Sequence, residues 1–278
     1  MDLSSLNEKQ YEAVTAPLGP VLVLAGAGSG KTRVLAFRIA YLCEQKLVSP
    51  DHVLALTFTN KAAKEMQERV HKLLAGQAAG TGRKTHTIPN MGTFHSMCAK
   101  ILRQEIPVLG YTKGFTIYDS DDQTKIIREI IQELNIDKRF APSLFRAYIS
   151  SAKNILQTPA EMAIGLEPDL HNLVREVYGR YQNYLYHQNA LDFDDLLMLT
   201  VKIFQSVPAT LEKYRELFRY ILVDEYQDTN HAQYVFLHLL SAGHHNLFVV
   251  GDDAQSIYGF RGSNIRNILN FEEDFPEA

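Results

Sequence analysis

A glycine-rich segment near the start of the chain contains the residue types that bind phosphate. Residues 25–32 read AGAGSGKT, directly after an apolar run and directly before a helical pattern. Glycines allow the backbone to turn so that successive amide groups and a helix N-terminus point at phosphate oxygens. Lys31 adds a positive charge for the β- and γ-phosphates, and the Thr32 hydroxyl can bind Mg²⁺. The strict pattern has glycine where Ala25 stands, so the match is to a relaxed phosphate-binding loop.

Two acidic residues follow another apolar run and favour a nucleotide hydrolase over a kinase. Residues 220–225 read YILVDE. Asp224 can hold a Mg²⁺ ion that bridges phosphates, and Glu225 can polarise a water for in-line attack. A kinase would not need the second carboxylate. The alternative interpretations of this pair are an ordinary solvated turn and a helix N-cap.

A third apolar run leads into residues 251–262, which read GDDAQSIYGFRG. Gln255 can donate to a γ-phosphate or orient the attacking water, so it is a candidate sensor of hydrolysis. Tyr258 and Phe260 can each offer a ring face to a nucleic-acid base, although two aromatic residues in a loop are more commonly local packing.

A basic stretch lies between residues 61 and 103 of a chain that is acidic overall. The formal net charge is −4, from 28 Lys and Arg against 32 Asp and Glu, which alone argues against nucleic acid. The stretch holds eight basic and only two acidic residues. This pattern indicates a local surface for phosphates. Phe58 and Phe94 lie beside or within it and can stack on bases or serve as core, and neutral phosphate donors are available at Asn60, Thr93, His95 and Ser96.

The elements that position these residues form a repeated βα pattern. Helical patterns follow the first two of four short apolar runs, which indicates an α/β fold with a parallel sheet. The apolar stripes of these two predicted helices are Leu35, Ile39 and Leu42 in the first, and Ala63, Met66, Val70 and Leu73 in the second. Ligands of such folds bind beyond the carboxyl ends of the strands, where all the residues above stand. The four predicted strands are residues 21–25, 53–59, 220–225 and 247–252.

The pattern changes to purely helical at Ser120. The segment SDDQ predicts a helix capped by Ser120, and further helices are predicted over residues 143–156 and 169–187. We therefore predict a helical domain at residues 119–190, inserted into an α/β domain that consists of 1–118 and 191–278.

Composition excludes several classes of protein. With 46% hydrophobic and 22% charged residues, the chain is neither fibrous nor largely disordered. Cys43 and Cys98 are too few for a disulfide framework or a four-ligand zinc site. The histidines show no metal-site spacing, and His95 fits a structural role better than a catalytic one. No apolar run is long enough to span a membrane, and the first residues do not resemble a signal peptide, so we expect a cytoplasmic protein.

Taken in order along the chain, the motifs resemble those of the superfamily 1 DNA helicases of the UvrD/Rep/PcrA type, and of their PcrA-like members most of all. The resemblance implies a RecA-like motor domain, termed 1A, that is interrupted by a helical domain 1B. It also implies ATP and Mg²⁺ as cofactors, and translocation on single-stranded DNA from 3′ to 5′ with unwinding at single-strand/duplex junctions, in repair or replication. The matching segments are LNEKQ (6–10), AGAGSGKTR (25–33), TFTNKAAKEM (57–66), GTFHS (92–96), LDFDDLL (191–197), VDEYQDTN (223–230) and GDDAQSIYGFRG (251–262).

The resemblance also assigns roles by position. Catalysis falls to Lys31, Asp224, Glu225 and Gln255, and Mg²⁺ to Thr32 and Asp224. Nucleotide contacts are expected from Gln10, Ala25, Gly26, Ala27, Gly28, Ser29, Gly30, Lys31, Thr32, Arg33 and Arg261. DNA contacts are expected from Phe58, Asn60, Lys61, Thr93, Phe94, His95, Phe193, Tyr258 and Phe260.

Three features depart from the family pattern. Phe260 stands where tryptophan is usual, which weakens one stacking platform, and Ala254 stands where an acidic residue is usual. The chain also stops at Ala278, before a second RecA-like domain with its arginine fingers. We expect a piece of a longer protein, or else a stand-alone module, with weak hydrolysis by itself because a missing cation slows phosphoryl transfer. Two alternatives remain: a non-hydrolysing module that binds ATP and single-stranded DNA, and the helicase portion of a helicase–nuclease.

Overall fold

The computed structural model describes residues 2–78, 89–163, 165, 167–252, 266–269 and 271–278. The chain divides into two compact units. The sheet unit consists of Met1–Ser96, Pro208–Thr229 and Leu237–Ala278, and the helical unit of Met97–Val207 and Asn230–Phe236.

Strands and helices follow one another along the described part of the chain. The strands are β1 (Val21–Leu24), β2 (Val53–Thr57), β3 (Asn90–Thr93), β4 (Thr116–Tyr118), β5 (Ala190–Asp192), β6 (Tyr220–Val223) and β7 (Leu247–Gly251). The helices are α1 (Glu8–Thr15), α2 (Lys31–Glu44), α3 (Asn60–Ala78), α4 (Phe94–Glu105), α5 (Ser120–Glu133), α6 (Pro142–Asn154), α7 (Pro168–His187), α8 (Phe193–Ser206), α9 (Pro208–Leu217), α10 (His231–Ser241), α11 (Arg266–Leu269) and α12 (Phe271–Asp274).

The sheet unit is built on a parallel sheet with the strand order β1-β7-β6-β2-β3. Leu24 pairs with Gly251, and Val223 pairs with Val249, so β1, β7 and β6 end side by side. All four predicted strands are present, and each ends one or two residues earlier than expected. The predicted α/β class with a parallel sheet is confirmed. Because β3 reads only NMGT, without an apolar run, the sequence did not reveal it.

Helices α1, α2 and α3 contribute side chains to the core of the sheet unit. The predicted stripe of α2, Leu35, Ile39 and Leu42, is fully buried. On α3 the stripe ends on Leu74, which is buried, whereas the expected Leu73 is only partly buried.

Arg38 fixes α1 to α2 and to the sheet. Its guanidinium is 0% exposed and has no acidic partner among its hydrogen bonds. It donates instead to the Tyr220 hydroxyl and to the backbone carbonyls of Val14, Ala16 and Pro17 at the end of α1. A buried charge is tolerated when its donors are satisfied in this way.

The helical unit packs α5, α6 and α7 around a core that includes Ile127, Phe145 and Tyr181. The helix predicted from SDDQ begins at Ser120, but its cap is Asp119, which forms a capping box with Asp122, so the predicted Ser120 cap is wrong. Asp119 accepts from the amides of the first turn directly, and the chain therefore enters the helix one residue earlier.

Two short strands flank the predicted inserted domain. Strand β4 ends at Tyr118, β5 begins at Ala190, and the two pair in parallel. The compact units divide the chain at other positions, since the helical unit begins at Met97. The 1A/1B boundaries at 119 and 190 stay a prediction.

Neither a membrane span nor a metal cluster is found in the described ranges. None of the helices there is long and apolar enough to cross a membrane. The same residues contain no group of three or more histidine, cysteine or acidic side chains arranged to hold a metal ion.

Candidate nucleotide and nucleic-acid site

The phosphate-binding loop leads directly into the N-terminus of α2. Gly28 and Gly30 have φ angles of 75° and 90°, a left-handed conformation that glycine adopts without strain. Gly30 occupies the N-cap position of α2, which has no side-chain cap. A Cβ at Gly30 would also lie 3.0 Å from the Gln10 side-chain nitrogen. The amides at this helix end therefore lie beside an exposed loop, and the helix dipole favours an anion there.

Lys31 lies where β1, β7 and β6 end. Its Nζ is 3.1 Å from Asp252 Oδ2, 3.2 Å from the Ala25 carbonyl and 3.7 Å from Glu225 Oε2. The lysine side chain is only 8% exposed and that of Asp252 1%. Sequence analysis missed Asp252, because the acidic pair after β7 gave no signal for which of its members faces the lysine.

Thr32 and Asp224 bring together two oxygen ligands. The Thr32 hydroxyl donates to Asp224 Oδ2 at 3.0 Å, and Asp224 is buried. Burial and the neighbouring Glu225 raise the pKa of Asp224 to about 6, while the Thr32 hydroxyl acts in the opposite direction. Carboxylate and hydroxyl oxygens are suitable ligands for Mg²⁺, and a cation would favour the ionised carboxylate. The residues present therefore fit Mg²⁺ bound with a nucleotide.

Glu225 is held in an uncommon backbone conformation. Its φ and ψ are 51° and 47°, the left-handed region that non-glycine residues adopt at a cost. Its side chain is 38% exposed and accepts a hydrogen bond from Gln227. Gln227 is a second residue that sequence analysis missed, since a buried glutamine after an acidic pair has no distinctive pattern.

Gln10 and Arg33, two of the predicted nucleotide contacts, lie next to the phosphate-binding loop. Gln10 donates to the Ser29 carbonyl at 2.9 Å and accepts from the Asn7 amide at 3.2 Å, as part of the α1 capping box. Arg33 donates to the backbone and side-chain oxygens of Ser5 at 2.8 Å each. The Gln10 amide has two N–H donors and the Arg33 guanidinium five, so both can keep these partners and still contact a nucleotide.

Three predicted DNA contacts lie at the start of α3. Asn60 and Lys61 are exposed in its first turn, and Phe58 is half-buried just before it. The Phe58 ring packs on Phe94, with centroids 5.6 Å apart. The arrangement presents one aromatic edge beside a cation and an amide, a combination that suits a nucleic-acid strand.

Two of the three DNA contacts predicted near the start of α4 are buried. Phe94 is 1% exposed, so its ring supports Phe58 and offers no open face to a base. Thr93 is buried as well, and its hydroxyl accepts from the Ser96 amide, which leaves His95 as the half-buried side chain of this group. The sequence could not separate the two phenylalanines, because both stand in motifs of mixed apolar and polar residues.

Phe193, the predicted DNA contact of the helical unit, is the first residue of α8 and is 49% exposed. Asp192 caps this helix and forms a capping box with Asp195. The remaining predicted site residues lie outside the described part of the chain: Gln255, Tyr258, Phe260 and Arg261.

Comparison with known proteins gives the family. Residues 6–276 match the UvrD/REP helicase N-terminal domain. The chain belongs to this family. It is 52% identical over 278 residues to the ATP-dependent DNA helicase PcrA of Staphylococcus aureus and 51% identical to that of Staphylococcus epidermidis. These alignments cover 99% of this chain but only 37% of each relative.

This UvrD/REP-type domain contains a second buried lysine, which sequence analysis also missed. Lys153, near the end of α6, is 0% exposed and lies 2.7 Å from Asp192 Oδ2 and 2.8 Å from Asp195 Oδ1. The Tyr181 hydroxyl donates to Asp192, and the Gln182 amide donates to Asp195. The cluster fixes the residues on both sides of Phe193.

Proposed function

We propose that this chain is the nucleotide-binding and first DNA-binding portion of an ATP-dependent DNA helicase that translocates from 3′ to 5′ on single-stranded DNA. The observation that carries the proposal is the meeting of Lys31 with Asp252 and of Thr32 with Asp224 where the strands end. Family membership and the names of the relatives support it. Unwinding at single-strand/duplex junctions, a role in repair or replication and a cytoplasmic location belong to the same proposal.

The nucleotide side of the mechanism follows from four side chains. Lys31 exchanges Asp252 for the β- and γ-phosphates, and Thr32 and Asp224 hold Mg²⁺. Held by these two residues, Mg²⁺ would supply positive charge against the phosphates. Glu225, whose carboxylate is held within 3.7 Å of the lysine ammonium, orients a water and accepts its proton during in-line attack.

The DNA side of the mechanism combines charge with stacking. Lys61 and the exposed Lys64 on α3 attract the phosphate backbone, while Phe58 and Phe193 offer ring surface to bases. Stacking on an aromatic side chain stabilises binding by about 1–3 kcal/mol per base and tolerates any sequence, as a translocating protein requires.

ATP hydrolysis by the intact protein, with and without single-stranded DNA, tests the proposal directly. We expect DNA to stimulate phosphate release, and we expect Glu225→Gln to abolish that release while a fluorescent ATP analogue still binds. The control is Glu212→Gln, which removes the same charge from an exposed position on α9. Unstimulated or absent hydrolysis would reject the helicase assignment in favour of the non-hydrolysing binding module.

Salt dependence tests the DNA surface. If α3 neutralises phosphates, the affinity for an oligonucleotide should fall steeply with salt, and Lys61→Ala with Lys64→Ala should reduce the slope of log affinity against log salt by about 1–2. Lys9→Ala with Lys46→Ala removes the same charge outside the basic stretch and should leave the slope unchanged. Equal effects of the two pairs would place the DNA elsewhere.

A further inference from the structure

Gln227 joins the two acidic motifs of the nucleotide site through one side-chain amide. It is 1% exposed. Its Nε2 donates to Glu225 Oε2 at 2.8 Å, and its Oε1 accepts from the backbone N–H of Asp252 at 2.9 Å. A carboxylate only accepts and a backbone N–H only donates, so these partners fix which way the amide points.

The end of β7 is packed tightly against this amide. A Cβ built at Gly251 would lie 3.1 Å from Gln227 Oε1 and 3.2 Å from the Ile268 side chain. Real side chains rarely approach so closely, and an interior this dense transmits displacement. Gly251 therefore lets the strand end reach the amide without a gap.

The hydrogen bond to the Gln227 amide also holds the Glu225 carboxylate away from Lys31. Glu225 Oε2 is 3.7 Å from Lys31 Nζ, longer than its 2.8 Å bond to Gln227. Without the amide, the carboxylate would be free to close on the ammonium. Such a contact would occupy both the group that binds phosphate and the group that activates water.

Four residues thus form a closed ring of contacts. Gln227 bonds Glu225 and the amide of Asp252, Asp252 Oδ2 lies 3.1 Å from Lys31, and Lys31 faces Glu225. A phosphate that draws Lys31 away from Asp252 opens the ring on one side. The change at Asp252 then reaches Glu225 through the Gln227 amide.

We propose that Gln227 is a positioning residue that holds the Glu225 carboxylate towards the attacking water and couples it to phosphate contact at Lys31. The inference rests on the proposed function and deepens it. It assigns Gln227 an effect on turnover rather than on nucleotide affinity, since its side chain is 1% exposed and both ends of its amide are bonded to Glu225 and Asp252.

Two variants of the intact protein distinguish the two hydrogen bonds of Gln227, the one to Glu225 and the one from the Asp252 backbone. Gln227→Leu removes both hydrogen bonds, and Gln227→Glu keeps an acceptor for the Asp252 amide but places a carboxylate against Glu225. Loss of a hydrogen-bond partner that orients a metal ligand typically costs about 10- to 100-fold in affinity or activity, and we expect an effect of this size from the partner that orients Glu225. We expect both variants to lower kcat for DNA-stimulated ATP hydrolysis by that amount, while KM stays within about threefold.

A matched control comes from another buried glutamine. Gln233 lies on α10, in the segment that belongs to the helical unit, is 5% exposed and accepts from the backbone N–H of Asn230 at 2.9 Å. Gln233→Leu should lower stability in thermal unfolding and leave kcat unchanged. The inference is overturned if Gln227→Leu keeps kcat within about twofold, or if the two leucine variants lower kcat equally. A wild-type protein without hydrolysis would overturn the proposed function together with this inference.

Discussion

Two buried lysines of this chain have similar partners but different surroundings. Lys31 in the sheet unit and Lys153 in the helical unit each face two carboxylates and are 8% and 0% exposed. The distances differ: those of Lys153 are 2.7 and 2.8 Å, and those of Lys31 are 3.1 and 3.7 Å.

The groups around the two lysines differ more than their distances to the carboxylates do. Around Lys153 the carboxylates accept further bonds from Tyr181, Gln182 and the helix backbone, and the tyrosine ring lies 5.2 Å from the ammonium. Lys31 lies at the N-terminus of a helix, next to the exposed loop residues 26–29. A lysine whose acids are fully hydrogen-bonded holds the fold, whereas one beside bare helix amides can exchange its acids for phosphate.

The largest expected effect is on the stability of the helical unit. Lys153→Met leaves Asp192 and Asp195 buried without their cation, so the free energy of unfolding should fall by about 3–5 kcal/mol. Denaturant unfolding measures this change. Lys202→Met removes the same charge from an exposed position on α8 and is the control. A loss below about 1 kcal/mol would place Lys153 among ordinary surface ion pairs.

The second effect concerns nucleotide affinity. Lys31→Met removes the cation proposed for the phosphates, so a fluorescent ATP analogue should bind at least about 100-fold more weakly, since hydrogen bonds to charged groups contribute most to such sites. Lys46→Met, in an exposed turn, should bind like the wild type. Unchanged binding by Lys31→Met would remove the distinction between the two lysines.

The smallest effect is a pH dependence that arises in the Lys153 cluster. Burial, and then Asp192, raise the pKa of Asp194 to about 6 and that of Asp195 to about 7. A carboxyl with a higher pKa in the folded state stabilises the fold fully below about pH 4, and this contribution is lost as the pH rises through its folded pKa.

Asp194→Asn isolates one of these protons. The relevant unfolding transition is the one that Lys153→Met shifts. Between about pH 4 and 6, its free energy of unfolding should fall by up to about 1.4 kcal/mol per pH unit more in the wild type than in Asp194→Asn. Urea unfolding at a series of pH values measures the difference. Parallel curves would mean that Asp194 titrates alike in the folded and unfolded chain.

The sequence predicted the parts of the fold that depend on local pattern. Apolar runs revealed β1, β2, β6 and β7, and the glycine spacing revealed the loop before α2. Strand order is set by long-range packing, so the contact of Lys31 with Asp252 could not be foreseen. The same holds for Lys153, because its acidic partners lie 39 and 42 residues further along the chain.

Side-chain direction was the other limit. Phe58 and Phe94 looked equivalent as stacking residues, yet only Phe94 is buried. Gln227 has no distinctive pattern in the sequence, and its proposed role rests on an amide that donates to Glu225 and accepts from the backbone N–H of Asp252.

Because Glu225 has a left-handed backbone, the stability of the fold and the proposed catalysis favour different residues at this position. Glycine would adopt φ 51° freely, so Glu225→Gly would relieve strain of about 1 kcal/mol or more while removing the proposed base. Stability alone would therefore favour replacing Glu225 by residues that adopt a positive φ more easily. A carboxylate at this position therefore fits the proposed role in hydrolysis better than it fits the backbone.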